Sequence, residues 1–275
     1  MRFYSLFPMS LCVLMACLGC TEPMGAPAMS EPVTADGELV PVSLDVLPPG
    51  VYPQKIERAD GTLLRYTISV PDGYTQAKPA PLVLSLHFGT GRRGGPVPEG
   101  YGRSMLEILV EPALRDLRAI ILAPDSVAGR WSTSENEEAL LQIMDRVVST
   151  YNIDQDKVLV TGFSMGGSGT WHMAARHPDR FSAAIPIAAR PPREDVEWKS
   201  PLYVIHSRDD QVAPFARTEA YVTQQQAQGV DIQLVRIDGV RHVETARFGQ
   251  PLKEALPWVR KVWKEQDEAS EVAEE

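Results

Sequence analysis

The segment VLVTGFSMGG at residues 158–167 places Ser164 between an apolar run and a segment with helical character. A strand, a sharp turn and a helix in this order form a nucleophile elbow, which projects a serine hydroxyl above the end of a sheet strand. Glycine at 162, 166 and 167 lets the backbone approach its neighbours closely. The N–H of Met165 would lie at the start of the helix, where it can donate to an oxyanion. The segment therefore predicts an α/β fold with Ser164 as a nucleophile.

A serine hydroxyl needs a base that accepts its proton and a third group that orients the base. His242 follows Ser164 with an acidic candidate on a strand end between them. Asp209 and Asp210 are adjacent in that loop, and the residues alone leave both open. His206 precedes both aspartates and is interpreted as a structural residue. Since parallel strands end at the same sheet edge, we expect the serine, one aspartate and His242 to meet there.

Around these motifs, apolar strand-like runs alternate with helical segments. Strands are predicted at residues 63–70, 82–86, 119–123, 158–161, 183–187, 202–206 and 232–237, and helices at 104–117, 135–150, 165–176, 215–228 and 251–264. Ser104 is the expected cap of the first helix. Strands separated by helices predict a mostly parallel sheet that is covered on both faces.

The chain resembles the α/β-hydrolase superfamily over about residues 65–264. Within it, the chain is similar to secreted esterases of the polyhydroxybutyrate-depolymerase, feruloyl-esterase and predicted-peptidase type. Residues 151–181, which include GFSMGG and ARHPDRF, carry most of this resemblance. The family's acid loop reads His-Gly-x-x-Asp-x-x-Val-Pro, so HSRDDQVAP at residues 206–214 places Asp210 at the acid position. The resemblance implies the α/β-hydrolase fold and a Ser-Asp-His triad.

The same resemblance extends to the oxyanion hole. The family has a strand followed by His-Gly-x, which corresponds here to LSLHFGTG. By this resemblance, Gly89 supplies the second oxyanion N–H beside that of Met165. Phe88 stands where the family usually has glycine, so Phe88 and Thr90 are alternative donors.

We therefore expect a serine hydrolase that cleaves small-molecule or polymeric carboxylic esters through an acyl-enzyme intermediate, without a cofactor. Phe88 and Trp131 lie on loops near the expected site and are candidate substrate-binding residues, with ordinary packing as the alternative. Two other functions stay open. One is a serine peptidase of the prolyl-oligopeptidase-like type, and the other is a non-catalytic surface lipoprotein that uses the fold for binding.

Composition and charge limit the kinds of binding partner that the sequence predicts. The formal net charge is −9, and six acidic residues fall within residues 265–275, which contain no Lys or Arg. The body is therefore only mildly acidic, and nothing indicates a nucleic-acid surface. The histidine spacing contains no zinc motif, so no metal site is expected. No obligate protein partner is evident, and the acidic end is interpreted as a solvated, disordered tail.

The N-terminus has the composition of an export signal. Residues 3–18 are largely apolar after a single positive charge, and all three cysteines lie at positions 12, 17 and 20. Cys17 and Cys20 each end a sequence that resembles a bacterial lipoprotein box, with plain secretion as the alternative. We expect a lipoprotein-type signal at 1–20, a flexible Pro-rich tether at 21–50, the hydrolase domain at 51–264 and the tail at 265–275. The protein would be periplasmic or at the cell surface, and its only membrane contact would be a lipid anchor.

Overall fold

An eight-stranded sheet organises the part of the chain that the computed structural model describes, residues 45–90 and 97–274. The strands are β1 (Gly50–Glu57), β2 (Leu63–Val70), β3 (Ala80–Leu86), β4 (Ile120–Pro124), β5 (Ile153–Phe163), β6 (Ala183–Ile187), β7 (Leu202–Ser207) and β8 (Ile232–Ile237). Their order in the sheet is β1-β2-β4-β3-β5-β6-β7-β8. The first two strands are antiparallel to their neighbours, and all later pairs are parallel. The predicted mostly parallel sheet is confirmed.

Helices connect the strands and cover both faces. They are α1 (Tyr101–Met105), α2 (Glu111–Leu114), α3 (Ser134–Thr150), α4 (Met165–Arg176), α5 (Phe215–Ala227), α6 (Gly249–Glu254) and α7 (Leu256–Glu274). One buried apolar cluster joins β2, β3 and β5 to α3, α4 and α5. A second cluster joins the other face of the sheet to α1, α2, α6 and α7. Burial of these two clusters is the main force that holds the layers together.

Helix α3 shows how local sequence sets an element. The side chain of Thr133 accepts a hydrogen bond from the N–H of Asn136, which caps the first turn. Acidic residues occupy that turn, where the helix dipole favours negative charge. The buried stripe includes Leu140, Ile143 and Val147, as the amphipathic pattern predicted.

The predicted helix over residues 104–117 is instead a broken one. It begins at Tyr101 behind Gly100, whose φ is +88°, and Ser104 lies inside it and donates its hydroxyl to the Gly100 carbonyl at 3.0 Å. The prediction of Ser104 as the cap is therefore wrong. A π-helical turn at Leu106–Val110 precedes α2, in which Pro112 lacks the N–H that a regular α-helix would donate at this point.

The two ends of the body also differ from the sequence prediction. The predicted disordered tail over 265–275 is helical as far as Glu274, because α7 continues past residue 264. Lys264 pairs with Glu268 one turn away at 3.0 Å, and Lys157 of β5 holds Asp267 at 2.9 Å. At the other end, β1 begins at Gly50, within the predicted tether.

The predicted signal segment, Cys17, Cys20 and most of the tether lie outside the described residues. Among the residues that the structure describes, no helix combines the length and the apolar character needed to cross a membrane.

Candidate functional site

Ser164 stands at a strained turn between β5 and α4. Its φ is +56° and its ψ is −111°, values that non-glycine residues rarely adopt. Neighbouring backbone holds the turn, since the Ser164 N–H donates to the Ile187 carbonyl at 2.9 Å. The turn needs glycine around it, because a Cβ on Gly166 would lie 1.9 Å from the Leu86 oxygen. This is the elbow geometry that the segment at 158–167 predicted.

A chain of short hydrogen bonds joins the three side chains that were singled out in the sequence. The Ser164 Oγ lies 2.7 Å from the His242 Nε2, and the His242 Nδ1 lies 2.7 Å from the Asp210 Oδ2. Asp210 and His242 are each 7% exposed. A carboxylate can only accept, so His242 carries its proton on Nδ1 and presents a free lone pair on Nε2 to the serine hydroxyl.

The loop after β7 holds Asp210 in its charged form. The Asp210 Oδ1 accepts hydrogen bonds from the N–H groups of Val212 and Ala213, at 2.8 and 2.7 Å. Burial favours the neutral acid, but hydrogen bonds from His206 and His242 and from the two N–H groups outweigh it. Together they hold the pKa of Asp210 well below its usual range.

His242 rests on an aromatic support that the sequence did not reveal. Its ring lies 5.3 Å from the Phe163 ring, centroid to centroid, and Phe163 packs on Phe248 at 5.0 Å. Both phenylalanines are buried. Phe163 lies inside the elbow motif, but its packing against a residue late in the chain has no sequence signal. This packing limits the orientations that the His242 ring can adopt.

The predicted oxyanion residues lie side by side. Met165 is the first residue of α4, and a Cβ built on Gly89 would lie 3.6 Å from the Met165 side chain. His87, the first residue after β3, accepts from the Ser126 N–H at 3.1 Å through Nε2 and so donates its Nδ1–H to the Phe88 carbonyl at 2.7 Å. Burial lowers the pKa of His87, which keeps the ring neutral in this arrangement.

The two candidate substrate-binding residues have different surroundings. Phe88 is partly exposed and packs against Tyr101, with 5.9 Å between the ring centroids. Trp131 is only 1% exposed and donates its indole N–H to the His87 carbonyl at 2.9 Å. The prediction that Trp131 contacts substrate is therefore wrong. It packs beneath the loop, because Gly169 of α4 leaves room for its side chain.

A second polar cluster lies away from the serine, between α3 and α4. The Glu137 carboxylate accepts hydrogen bonds from His172 at 2.7 Å, from His177 at 2.8 Å and from Arg176 at 3.2 Å. Burial opposes the charge on Glu137, but these three donors outweigh it and lower its pKa to about 2. Within the described part of the chain, no group of three or more His, Cys, Asp or Glu side chains could hold a metal ion.

The serine, imidazole and carboxylate can perform nucleophilic catalysis in this geometry. The base lies within hydrogen-bond reach of the hydroxyl, and the carboxylate fixes the tautomer of the base. The N-terminus of α4 lies beside the hydroxyl and provides partial positive charge.

Parts of this chain are similar in sequence to known proteins. Residues 123–266, slightly more than half of the chain, match the family model described as the dienelactone hydrolase family. Feruloyl esterase C of Emericella nidulans is 29% identical over 43% of this chain and 43% of its own length. Probable feruloyl esterase C of Aspergillus niger is 28% identical over 54% of this chain and 56% of its own. The chain thus spans about half the length of these curated relatives.

Solved structures agree on the architecture. The crystal structure of a thermostable esterase is 25% identical, with a TM-score of 0.64 over 77% of this chain and 62% of that one. The order of strands and the elbow between β5 and α4 are those of the α/β-hydrolase fold. By fold and by the matched segment, the chain belongs to the dienelactone hydrolase family of the α/β-hydrolase superfamily.

Proposed function

We propose that the protein is a serine hydrolase that cleaves carboxylic esters through Ser164, His242 and Asp210. The observation that carries this proposal is the pair of 2.7 Å hydrogen bonds that joins the three side chains at the strained elbow. The backbone at Ser164 is held in a conformation that folding alone would avoid, which is common at reactive residues.

In the first half of the reaction, the Ser164 Oγ attacks the ester carbonyl carbon and transfers its proton to the His242 Nε2. The electron pair of the carbonyl bond moves to the oxygen, and the N–H groups of Met165 and Gly89 stabilise that oxyanion. Each such donor contributes about 3 kcal/mol in comparable sites. Collapse of the intermediate breaks the bond to the alkoxy group, which leaves as the alcohol with the proton from His242. The acyl group stays on Ser164 as an ester.

In the second half, His242 accepts a proton from water as the water oxygen attacks the acyl carbon. The second tetrahedral intermediate releases the Ser164 oxygen, which regains its proton from His242, and the carboxylic acid leaves. Asp210 stays ionised throughout and stabilises the imidazolium that forms in each half. The low pKa of its carboxyl supports that role.

The substrate is proposed to be a small-molecule or polymeric ester. The relatives from Emericella nidulans and Aspergillus niger are named as feruloyl esterases, so esters of aromatic acids are the first class to test. Phe88 lies next to Gly89 and is partly exposed, so it is a candidate apolar contact for such an acyl group.

The test compares wild type with Ser164→Ala on short acyl, feruloyl and acetylated-sugar esters. Ser168→Ala is the matched control, because Ser168 lies one turn further along α4 with an exposed side chain. We expect only Ser164→Ala to abolish turnover and labelling by a fluorophosphonate probe. Undiminished hydrolysis in Ser164→Ala would end the proposal. Faster turnover of aminoacyl-nitroanilides than of any ester would indicate that the protein is a peptidase and not an esterase.

We also propose that the chain is exported and lipid-anchored through Cys17 or Cys20. The apolar run before these cysteines supports the proposal. Labelling of a bacterial host with an alkyne fatty acid, followed by click detection, tests it. Cys17→Ala and Cys20→Ala identify the acceptor, and labelling that survives both substitutions together would contradict the anchor.

A further inference from the structure

His206 is the next-to-last residue of β7 and lies directly behind the proposed acid. It is 0% exposed, and its Nε2 lies 2.8 Å from the Ala213 carbonyl oxygen and 3.3 Å from the Asp210 Oδ2. His242 approaches the same Oδ2 from the loop after β8 at 2.7 Å. Two imidazoles therefore share one carboxylate oxygen, although only one of them reaches the serine.

The partners of His206 define where its proton is. A carbonyl oxygen and an ionised carboxylate both only accept, so Nε2 must carry the hydrogen. In the described part of the chain, the His206 Nδ1 is buried without a hydrogen-bond partner. A proton on Nδ1 would therefore be buried and unpaired, which disfavours the charged ring. His206 is a neutral, fixed donor.

We propose that His206 is a positioning residue that acts on the reaction through Asp210. This inference rests on the proposed function and deepens it. By donating to Asp210 and to Ala213 at once, His206 closes the loop between them and fixes the plane of the carboxylate. The Asp210 Oδ1 is already held by two backbone N–H groups. With His206 in place, the Asp210 Oδ2 can accept one further hydrogen bond, and the lone pair available for it points at the His242 Nδ1.

The hydrogen bond from His206 also offsets part of the negative charge that the Asp210 carboxylate presents to His242. Without it, Asp210 would attract the imidazolium form of His242 more strongly. The charged groups on and beside this loop include Arg190, which donates to the Val212 carbonyl at 2.7 Å, and Asp209, which accepts from the Gly239 N–H at 2.6 Å. Arg208 of the same loop pairs with Asp238 at 3.1 Å. These hydrogen bonds go to partners other than the Asp210 carboxylate, so we expect them to be the same in wild type and in variants of His206.

The experiment compares His206→Phe with His206→Gln. Phenylalanine keeps an aromatic ring against Phe215, whose ring lies 5.9 Å from that of His206, but it has no N–H. Glutamine has an N–H at about the same distance from the backbone as Nε2 and cannot titrate. We expect His206→Phe to lower kcat about ten-fold or more with little change in KM, and to move the acidic limb of the kcat/KM profile to higher pH. We expect His206→Gln to recover most of kcat and the wild-type limb.

Several results would overturn the inference. Wild-type kcat and pH profile in His206→Phe would do so, and so would an equal loss in both variants, since the ring and not its N–H would then matter. If the variants do not fold, ¹⁵N-histidine NMR of the wild-type protein decides. A neutral Nε2–H ring is expected, and a proton on Nδ1 would contradict the assignment. Failure of the proposed function looks different, because ester hydrolysis would then survive Ser164→Ala.

Discussion

The Asp209 carboxylate accepts a hydrogen bond from the Gly239 N–H across 2.6 Å, from the loop after β7 to the loop after β8. Ser207 makes a parallel connection by donating its hydroxyl to the Val240 carbonyl at 2.6 Å. The loop that carries Asp210 and the loop that carries His242 are therefore joined before the two side chains meet. The two adjacent aspartates thus have different partners: Asp209 accepts from a backbone N–H, and Asp210 accepts from the His242 imidazole.

Asp210→Asn is expected to lower kcat by about 10³–10⁴-fold, because an amide cannot hold the His242 tautomer that a carboxylate holds. Asp209→Asn is the matched control, since its side-chain oxygen can still accept from Gly239. It should keep kcat within about three-fold, in line with a neutral hydrogen bond of this kind. Steady-state kinetics on a p-nitrophenyl ester measure both. A larger loss in Asp209→Asn than in Asp210→Asn would reverse the assignment.

Gly166→Ala should destabilise the fold by more than about 4 kcal/mol or prevent folding, because the new methyl group would meet the backbone of β3. The added Cβ would lie 1.9 Å from the Leu86 oxygen. Gly249→Ala is the control, because its φ is −64° and its Cβ would meet only Leu109, at 3.8 Å. That variant should stay within about 1 kcal/mol of wild type in urea unfolding. Equal stability of the two variants would argue against close packing at the elbow.

Glu137→Gln is expected to weaken the contact between α3 and α4 by on the order of 2 kcal/mol at neutral pH, since hydrogen bonds from His172 and His177 lose their charged acceptor. The pKa of Glu137 is about 2 in the fold and 4.5 as a reference. Its stabilisation is therefore complete above pH 4.5 and is lost as the pH falls toward 2.

Urea unfolding across this pH range provides the measurement. The difference between wild type and Glu137→Gln should shrink as the pH falls from 4.5 to about 2. A difference that is independent of pH would show that the carboxylate charge does not contribute.

His87→Phe should lower both activity and stability. The ring would no longer accept from the Ser126 N–H, and leaving that buried donor unpaired costs about 1–3 kcal/mol. The Phe88 carbonyl would also lose its donor, which frees the segment that carries Gly89. We expect kcat to fall about ten-fold, as for a weakened oxyanion site. Unchanged kcat in a destabilised variant would limit His87 to a structural role.

Much of the fold follows from local sequence. Strand β2, helix α4 and strand β8 have the predicted limits, because apolar runs and turn residues bound each of them. The same information identifies Ser164, since strand, glycine turn and helix are contiguous in the chain. Only the resemblance favours Asp210 over Asp209, because Gly239, the hydrogen-bond partner that distinguishes Asp209, lies some thirty positions away.

The errors have a common physical origin in contacts between distant residues. The sequence leaves Trp131 open between substrate contact and packing, and its burial depends on the space left by Gly169 of another element. The acidic end was expected to be disordered, but Lys157 of β5 and salt bridges within α7 support the helix. The sequence suggests a structural role for His206, but it has no signal for the contact with Asp210, which requires the loop to fold back on the strand.

The left-handed backbone at Ser164 places thermal stability and catalytic turnover in conflict at a single residue. Replacing this residue by glycine would relieve a steric penalty of about 1 kcal/mol or more while removing the hydroxyl. Laboratory evolution for heat resistance alone would thus favour an inert protein, so any such selection must also demand hydrolysis.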